Sequence, residues 1–121
     1  MNILVIDDDI QVNKLISSIL TSEGHQVTEA FDGDEGLNFL KKDPNYDLVI
    51  TDIIMPEKEG IEIIREIKKN YPRIKIIAIS GGGRIDANNY LTLAKSLGAD
   101  EIMEKPFSKS DLSFLIKNLF Q

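Results

Sequence analysis

Residues 47–52 have the sequence DLVITD and are flanked by Asn45 and Pro56, two residues that favour turns. The three consecutive apolar residues at 48–50 leave no strand face for water, so the stretch predicts a buried strand of a parallel sheet. The strand ends at the carboxylate of Asp52. Ligands of open α/β sheets bind beyond the carboxyl ends of the strands, which makes Asp52 the first candidate site residue.

The rest of the chain alternates between short apolar runs and helical patterns. Strands are predicted at residues 3–6, 26–31, 48–52, 75–80 and 101–104. Helices are predicted over residues 10–22, 33–42 and 61–71, from between Ile85 and Asn89 to Leu97, and from Ser108 onward. Strict alternation predicts a doubly wound α/β fold, with a five-stranded parallel sheet and helices on both faces.

The first helix shows the pattern most clearly. Asp9 is its predicted N-cap, and Gly24 follows its end. Apolar side chains recur at spacings of three and four and predict an inward stripe, which consists of Val12, Leu15, Ile16, Ile19 and Leu20.

Length and composition limit the classes of protein. The 121 residues predict one domain, residues 1–121. Twenty acidic against fourteen basic residues give a net charge of -6, which disfavours direct binding to nucleic acid or to an anionic membrane. The chain has no cysteine and no export signal at its start, and we expect a cytoplasmic protein.

Polar residues follow four of the predicted strands. If these strands are parallel, Asp7, Asp8, Asp52, Ser80 and Lys105 meet at one edge of the sheet. Three adjacent carboxylates repel one another, which raises the pKa of at least one of them unless a cation is bound. Oxygen ligands without Cys or His favour Mg²⁺, with Mn²⁺ as a substitute. A metal, a hydroxyl and a lysine together indicate phosphoryl transfer.

Five motifs in this order give the chain a family resemblance over nearly its whole length. It resembles the receiver domain of the response regulators of bacterial two-component systems, in particular the stand-alone, chemotaxis-type regulators. The resemblance implies a flavodoxin-like (βα)5 fold with the strand order 2-1-3-4-5. The motifs are Ile3-Leu4-Val5-Ile6-Asp7-Asp8-Asp9, Asp52-Ile53-Ile54-Met55-Pro56 with Gly60, Ser80-Gly81, Gly98-Ala99-Asp100 and Lys105-Pro106-Phe107.

The resemblance also implies a function. Asp52 would accept a phosphoryl group from a histidine kinase or a histidine phosphotransfer protein. Asp7, Asp8, Asp52 and the backbone carbonyl of Ile54 would bind Mg²⁺. A change of surface would then reach a downstream protein partner, with the domain acting as a monomer or as a phosphorylation-dependent dimer.

The remaining motif residues also receive roles from the resemblance. Ser80 would move towards the phosphoryl group, and Gly81 would leave the group accessible. Lys105 would pair with the phosphate, and its peptide bond to Pro106 would be cis. Ile102 occupies the position at which members of the family usually carry a switch aromatic residue, so the resemblance does not extend to switching by an aromatic rotamer.

Two further departures distinguish the chain from the usual pattern of the family. The segment from Ser80 to Gly98, which contains three successive glycines and Arg84, is longer than usual. No effector domain follows the last predicted helix, which leads us to expect a stand-alone regulator that acts by protein contact.

Two other functions use the same residues. In a phosphatase of the haloacid dehalogenase type, Asp7 would be the nucleophile and Asp9 the acid, with Ser80 and Lys105 binding phosphate. That hypothesis leaves Asp52 unexplained. A receiver-like interaction module that is never phosphorylated would not need the three acids and the lysine.

Ile54 gives a first testable prediction. We expect its apolar side chain to face the phosphoryl group, where it cannot orient an attacking water. Phosphorylated protein should therefore lose phosphate slowly, and Ile54→Asn should lose it faster. Decay of the phosphorylated form, followed by mass spectrometry, measures the rate; equal or slower decay in the variant contradicts the assumed geometry.

Overall fold

A computed structural model describes residues 1–53, 60–80, 92, 94–96 and 98–121. Its five strands are β1 (Asn2–Ile6), β2 (Gln26–Ala30), β3 (Leu48–Asp52), β4 (Lys75–Ser80) and β5 (Glu101–Glu104). Its continuous helices are α1 (Ile10–Ser22), α2 (Gly33–Lys42), α3 (Gly60–Asn70) and α4 (Lys109–Leu119). Between β4 and β5, Thr92 and residues 94–96 are helical. Every predicted strand is present, with bounds that differ by at most one residue.

The strands form one parallel sheet in the order β2-β1-β3-β4-β5. This confirms the predicted fold class and the order that the family resemblance implied. β1 and β3 are neighbours at the centre, with Ile6 opposite Thr51, and β4 lies on the other side of β3. The carboxyl ends of β1, β3, β4 and β5 consequently lie along one edge.

The sheet separates two apolar cores, because successive side chains of each strand point to opposite faces. On one face, Leu4, Val49 and Ile76 pack with residues of α2 and α3 and with Ala94. On the other face, Val5 and Ile50 pack with residues of α1 and α4. All four continuous helices therefore hold the central strands from both sides, as in a doubly wound fold.

The predicted inward stripe of α1 is wrong at one position. Leu15 is 53% exposed, whereas Asn13 and Ser17 are buried together with Ile16 and Leu20. The buried positions 13, 16, 17 and 20 have the spacing of one helix face, and Leu15 lies about 100° away from Ile16 around the axis. Apolar spacing alone could not reveal this face, because two of its four residues are polar.

Several predicted features lie outside the described residues. These are Ile54, Met55, Pro56, the segment 81–91 with its three glycines and Arg84, and Leu97. Gly98, which is described, has a φ of 123°, the positive sign predicted for the residue after a helix.

Candidate functional site

Three carboxylates from two adjacent strands lie together at the carboxyl edge of the sheet. Asp7 and Asp8 follow β1, and Asp52 is the last residue of β3. One carboxylate oxygen of each acid lies within 4.8 Å of those of the other two. Asp7 is 1% exposed and Asp52 is 6% exposed, whereas Asp8 is exposed to solvent. The cluster is thus accessible to solvent at Asp8, whereas Asp7 and Asp52 are buried.

Lys105 joins two of these acids. Its Nζ lies 3.2 Å from Asp7 Oδ2 and 3.2 Å from Asp52 Oδ2. Its backbone N–H donates a hydrogen bond of 2.8 Å to the carbonyl of Ser80 at the end of β4, and its peptide bond to Pro106 is cis. The lysine therefore lies where the ends of four strands meet, and with 18% of its side chain exposed it is only weakly solvated.

The cluster perturbs the protonation of its own members. Burial, with the nearby charge of Asp52, raises the pKa of Asp7 to about 6, although the Asp9 N–H and Lys105 partly oppose the rise. Burial alone would lower the pKa of Lys105, but the carboxylates of Asp52 and Asp7 outweigh it and raise that pKa. Lys105 remains a cation, and Asp7 loses its proton at a higher pH than an ordinary aspartate does.

The acid cluster suits a hard divalent cation. Its ligand atoms are carboxylate oxygens, the donors that Mg²⁺ prefers in proteins. Burial and the nearby charge of Asp52 both disfavour the ionised form of Asp7, so a cation bound beside these carboxylates would lower the free energy of the ionised cluster. These residues fit a magnesium site.

Ser80 supplies an unused hydrogen-bonding group next to the acids. It ends β4, the neighbour of β3, and its side chain is fully buried. Among the described residues its Oγ has no hydrogen-bond partner. Because a buried polar group without a partner typically costs about 1–3 kcal/mol, this hydroxyl is available to a ligand at the strand ends.

Asp9 has a structural task that its neighbours lack. Its carboxylate accepts hydrogen bonds from the backbone N–H groups of Gln11 and Val12, which confirms it as the N-cap of α1. Its own N–H donates to Asp7 Oδ1 at 2.9 Å. Asp9 thus orients the Asp7 carboxylate through its backbone N–H, and its own carboxylate caps the N-terminus of α1.

The other predicted site residues have different outcomes. Ile102, on β5 opposite Ala78, is half buried and packs against the core between the sheet, α2 and α3. Ile54 and Gly81 lie outside the described residues. The sequence patterns gave no role to Asn13, which bonds to the backbone of Asp7, and the signal for it was a polar residue on the inward face of α1.

Comparison with known proteins agrees with this geometry. The family model described as the response regulator receiver domain matches residues 3–117. Among curated proteins, the transcriptional regulatory protein CpxR of Klebsiella pneumoniae is 32% identical over 119 residues, which are 98% of this chain and 49% of that protein. The CpxR homolog of Haemophilus influenzae is 35% identical and is matched over 50% of its length. The chain spans about half the length of the curated relatives it matches.

Solved structures give the same result. A response regulator receiver domain protein from Clostridium thermocellum is 40% identical, with a TM-score of 0.87 over 97% of this chain and 91% of that one. A CheY-like receiver domain protein from Methanospirillum hungatei is 30% identical, with a TM-score of 0.86 over 98% and 91%. In the part of the chain that the structure describes, no helix combines the length and apolar character needed to span a membrane. By family, fold and strand order, the chain belongs to the response regulator receiver domains of two-component systems.

Proposed function

We propose that this receiver domain is phosphorylated on Asp52 by a histidine kinase or a histidine phosphotransfer protein and then switches a protein-interaction surface. The observation that carries the proposal is the position of Asp52, 3.2 Å from Lys105 Nζ and within 4.8 Å of the carboxylates of Asp7 and Asp8. A carboxylate that could act as a nucleophile is here combined with a nearby ammonium group and with two further acids that could bind a metal ion.

The covalent chemistry of the transfer is the exchange of one bond to phosphorus for another. A carboxylate oxygen of Asp52 forms a bond to phosphorus while the bond from phosphorus to the donor's imidazole nitrogen breaks, and the imidazole takes up a proton. Asp7, Asp8 and Asp52 would bind Mg²⁺, with the carbonyl of Ile54 as a further ligand. When bound, the metal neutralises negative charge on the reacting carboxylate and phosphoryl oxygens.

Lys105 and Ser80 have complementary roles in this proposal. Lys105 would exchange its contact with Asp52 for a phosphoryl oxygen, which its single charge and rotatable stem allow. The hydroxyl of Ser80, which has no hydrogen-bond partner among the described residues, would donate a hydrogen bond to another phosphoryl oxygen. Gly81 would leave room for the group, and Ile102 would take the place of the switch aromatic residue as an apolar contact within the core.

The phosphatase alternative has weaker support. It needs Asp9 as a proton donor, but the Asp9 carboxylate accepts two backbone hydrogen bonds at the start of α1. That carboxylate is therefore engaged by the start of the helix instead of being directed at a substrate. It also assigns no task to Asp52.

The extent of the domain and the class of its downstream partner are also proposals. The described residues share one sheet between its two cores, which supports a single receiver domain over residues 1–121. The curated relatives named above are transcriptional regulators, so a downstream partner of this domain would belong to a pathway of gene regulation or to another two-component output.

Phosphorylation of the isolated protein tests the proposal. Wild type incubated with acetyl phosphate and Mg²⁺ should gain the mass of one phosphoryl group, and EDTA should prevent the gain. Asp52→Asn should gain none, because its amide oxygen is not a nucleophile of comparable strength. Asp9→Asn, which keeps an N-capping side chain, serves as the matched control and should react. Equal modification of wild type and Asp52→Asn would exclude Asp52 as the acceptor.

A further inference from the structure

Asn13 is a buried polar residue that the chemistry described so far leaves without a task. It lies in the first turn of α1 with none of its surface exposed, on the inward face beside Ile16. Asparagine is a weak helix former, and burying its amide without partners costs about 1–3 kcal/mol. A residue of this kind in the core needs specific partners.

The partners of Asn13 are the backbone ends of two strands. Its Nδ2 donates to the carbonyl of Ala30 at 2.8 Å and to the carbonyl of Asp7 at 3.2 Å. Its Oδ1 accepts a hydrogen bond of 3.3 Å from Ser17 Oγ. Both carbonyls can only accept, so the orientation of the amide, with its NH₂ towards the strands, follows from the chemistry of its partners.

The carbonyl of Asp7 belongs to the peptide that joins the two acids Asp7 and Asp8. A peptide unit is planar, so fixing its carbonyl fixes the bonds that lead to the Cα atoms on both sides. The Asp7 N–H donates to the same Ala30 carbonyl at 3.1 Å, which ties the ends of β1 and β2 together. Asn13 therefore fixes the peptide between the two acids, while the Asp9 N–H donates a hydrogen bond to the Asp7 carboxylate.

We propose that Asn13 is a positioning residue for the acid cluster, whose side-chain amide orients the Asp7–Asp8 peptide and so places the carboxylates that bind Mg²⁺. The proposal rests on the proposed function of the cluster. Repulsion among the three carboxylates tends to spread them, and the two hydrogen bonds from Asn13 oppose that movement. Mg²⁺ demands a nearly regular octahedron of ligands, so small displacements of the acids weaken its binding.

Magnesium affinity measured by calorimetry tests the proposal. In Asn13→Leu, which keeps the number and branching of the side-chain heavy atoms and removes the donors, the dissociation constant should rise about tenfold, the lower end for lost supporting contacts at metal sites. Asn13→Ser is measured beside it, since the smaller side chain fits even if leucine prevents folding. Ser17→Ala is the matched control, because it removes the hydrogen bond on the far side of Asn13 and leaves both carbonyl contacts. Its affinity should stay within about twofold of wild type.

A second readout separates positioning from a general loss of stability. In the reaction with acetyl phosphate, Asn13→Leu should need more Mg²⁺ for the half-maximal rate but should approach the wild-type rate at saturating Mg²⁺. Folded Asn13 variants with wild-type affinity, or an equal loss of affinity in Ser17→Ala, would overturn the proposal. Wild type and Asp8→Asn test the site itself. If wild type binds no Mg²⁺, or if Asp8→Asn binds it as tightly as wild type, the proposed function fails. If wild type binds Mg²⁺ and Asp8→Asn binds it more weakly, unchanged affinity in the Asn13 variants rejects the positioning role alone.

Discussion

Gly60→Ala should destabilise the protein by about 3 kcal/mol or more, at the upper end for overpacked sites. Gly60 begins α3, and its N–H donates to the carbonyl of Ile53 at 3.1 Å. An added Cβ would overlap the carbonyl of Asp52 and the Cα of Ile53. Both are backbone atoms at the end of a central strand, so no rotation of a side chain relieves the overlap. The shift would also move Asp52 relative to Lys105, and phosphorylation should fall with stability.

Gly24→Ala provides the control for this prediction. Gly24 has a φ of 91°, but a Cβ there meets no atom within 4 Å. Its cost is that of the backbone conformation alone, about 1 kcal/mol. Urea unfolding followed by circular dichroism compares the two variants. A loss in Gly60→Ala no larger than in Gly24→Ala would show that the backbone of β3 can yield at this contact.

Asp7→Asn should stabilise the metal-free protein by about 2 kcal/mol at neutral pH while abolishing its response to Mg²⁺. The pKa of Asp7 is about 6 in the folded protein and 3.8 in its ordinary state. A difference of this size corresponds to about 3 kcal/mol, which already includes the attraction between Asp7 and Lys105. The expected gain is smaller, because the NH₂ group of Asn would face the Lys105 ammonium. Asn keeps an oxygen for the Asp9 N–H and removes a charge that burial disfavours. Function and stability therefore oppose each other at this residue.

The pH dependence has a definite sign. Between about pH 4 and pH 6 the folded protein retains the proton of Asp7, while the unfolded chain has lost it. The contribution of Asp7 to stability consequently falls as the pH rises through this window, and the full penalty is present above it. The advantage of Asp7→Asn should grow from near zero below pH 4 to its full value above pH 6.

Free energies of unfolding in urea and EDTA, measured from pH 4 to pH 8, check this prediction. Asp8→Asn removes an exposed carboxylate from the same cluster and should give a smaller gain. A constant difference between Asp7→Asn and wild type across the pH range would contradict the explanation by burial. Lower stability of Asp7→Asn at neutral pH would show that the contact with Lys105 outweighs the cost of burial.

Sequence patterns were sufficient to predict the strands of the sheet and the proximity of Asp7, Asp52 and Lys105 at its edge. A run such as 48–50 is apolar because both faces of its strand are covered, and the strand direction then places the acid that follows it. The order of the strands came from the family resemblance, because periodicity does not encode which strands pair.

Two features of the site depended on three-dimensional contacts. Sequence predicted a raised pKa in the cluster but could not select Asp7, because the depth of each carboxylate depends on the helices and loops above it. The exposure of Leu15 and the burial of Asn13 were missed because the buried face of α1 depends on how the helix is rotated about its axis against the sheet. Two of the residues on that face are polar, so the pattern of apolar residues does not reveal it.

The contact between Lys105 and Asp7 joins residues that are 98 positions apart. During translation Asp7 and Asp8 are synthesised first, and Lys105 is added only after most of the domain has been made. Until β5 has paired with β4, the ammonium group of Lys105 is not yet beside the carboxylates, and the nascent chain lacks the arrangement needed to receive phosphate. Competence for phosphorylation should therefore arise in one step, when β5 docks against β4, so that nascent chains without Lys105 accept no phosphoryl group from a kinase.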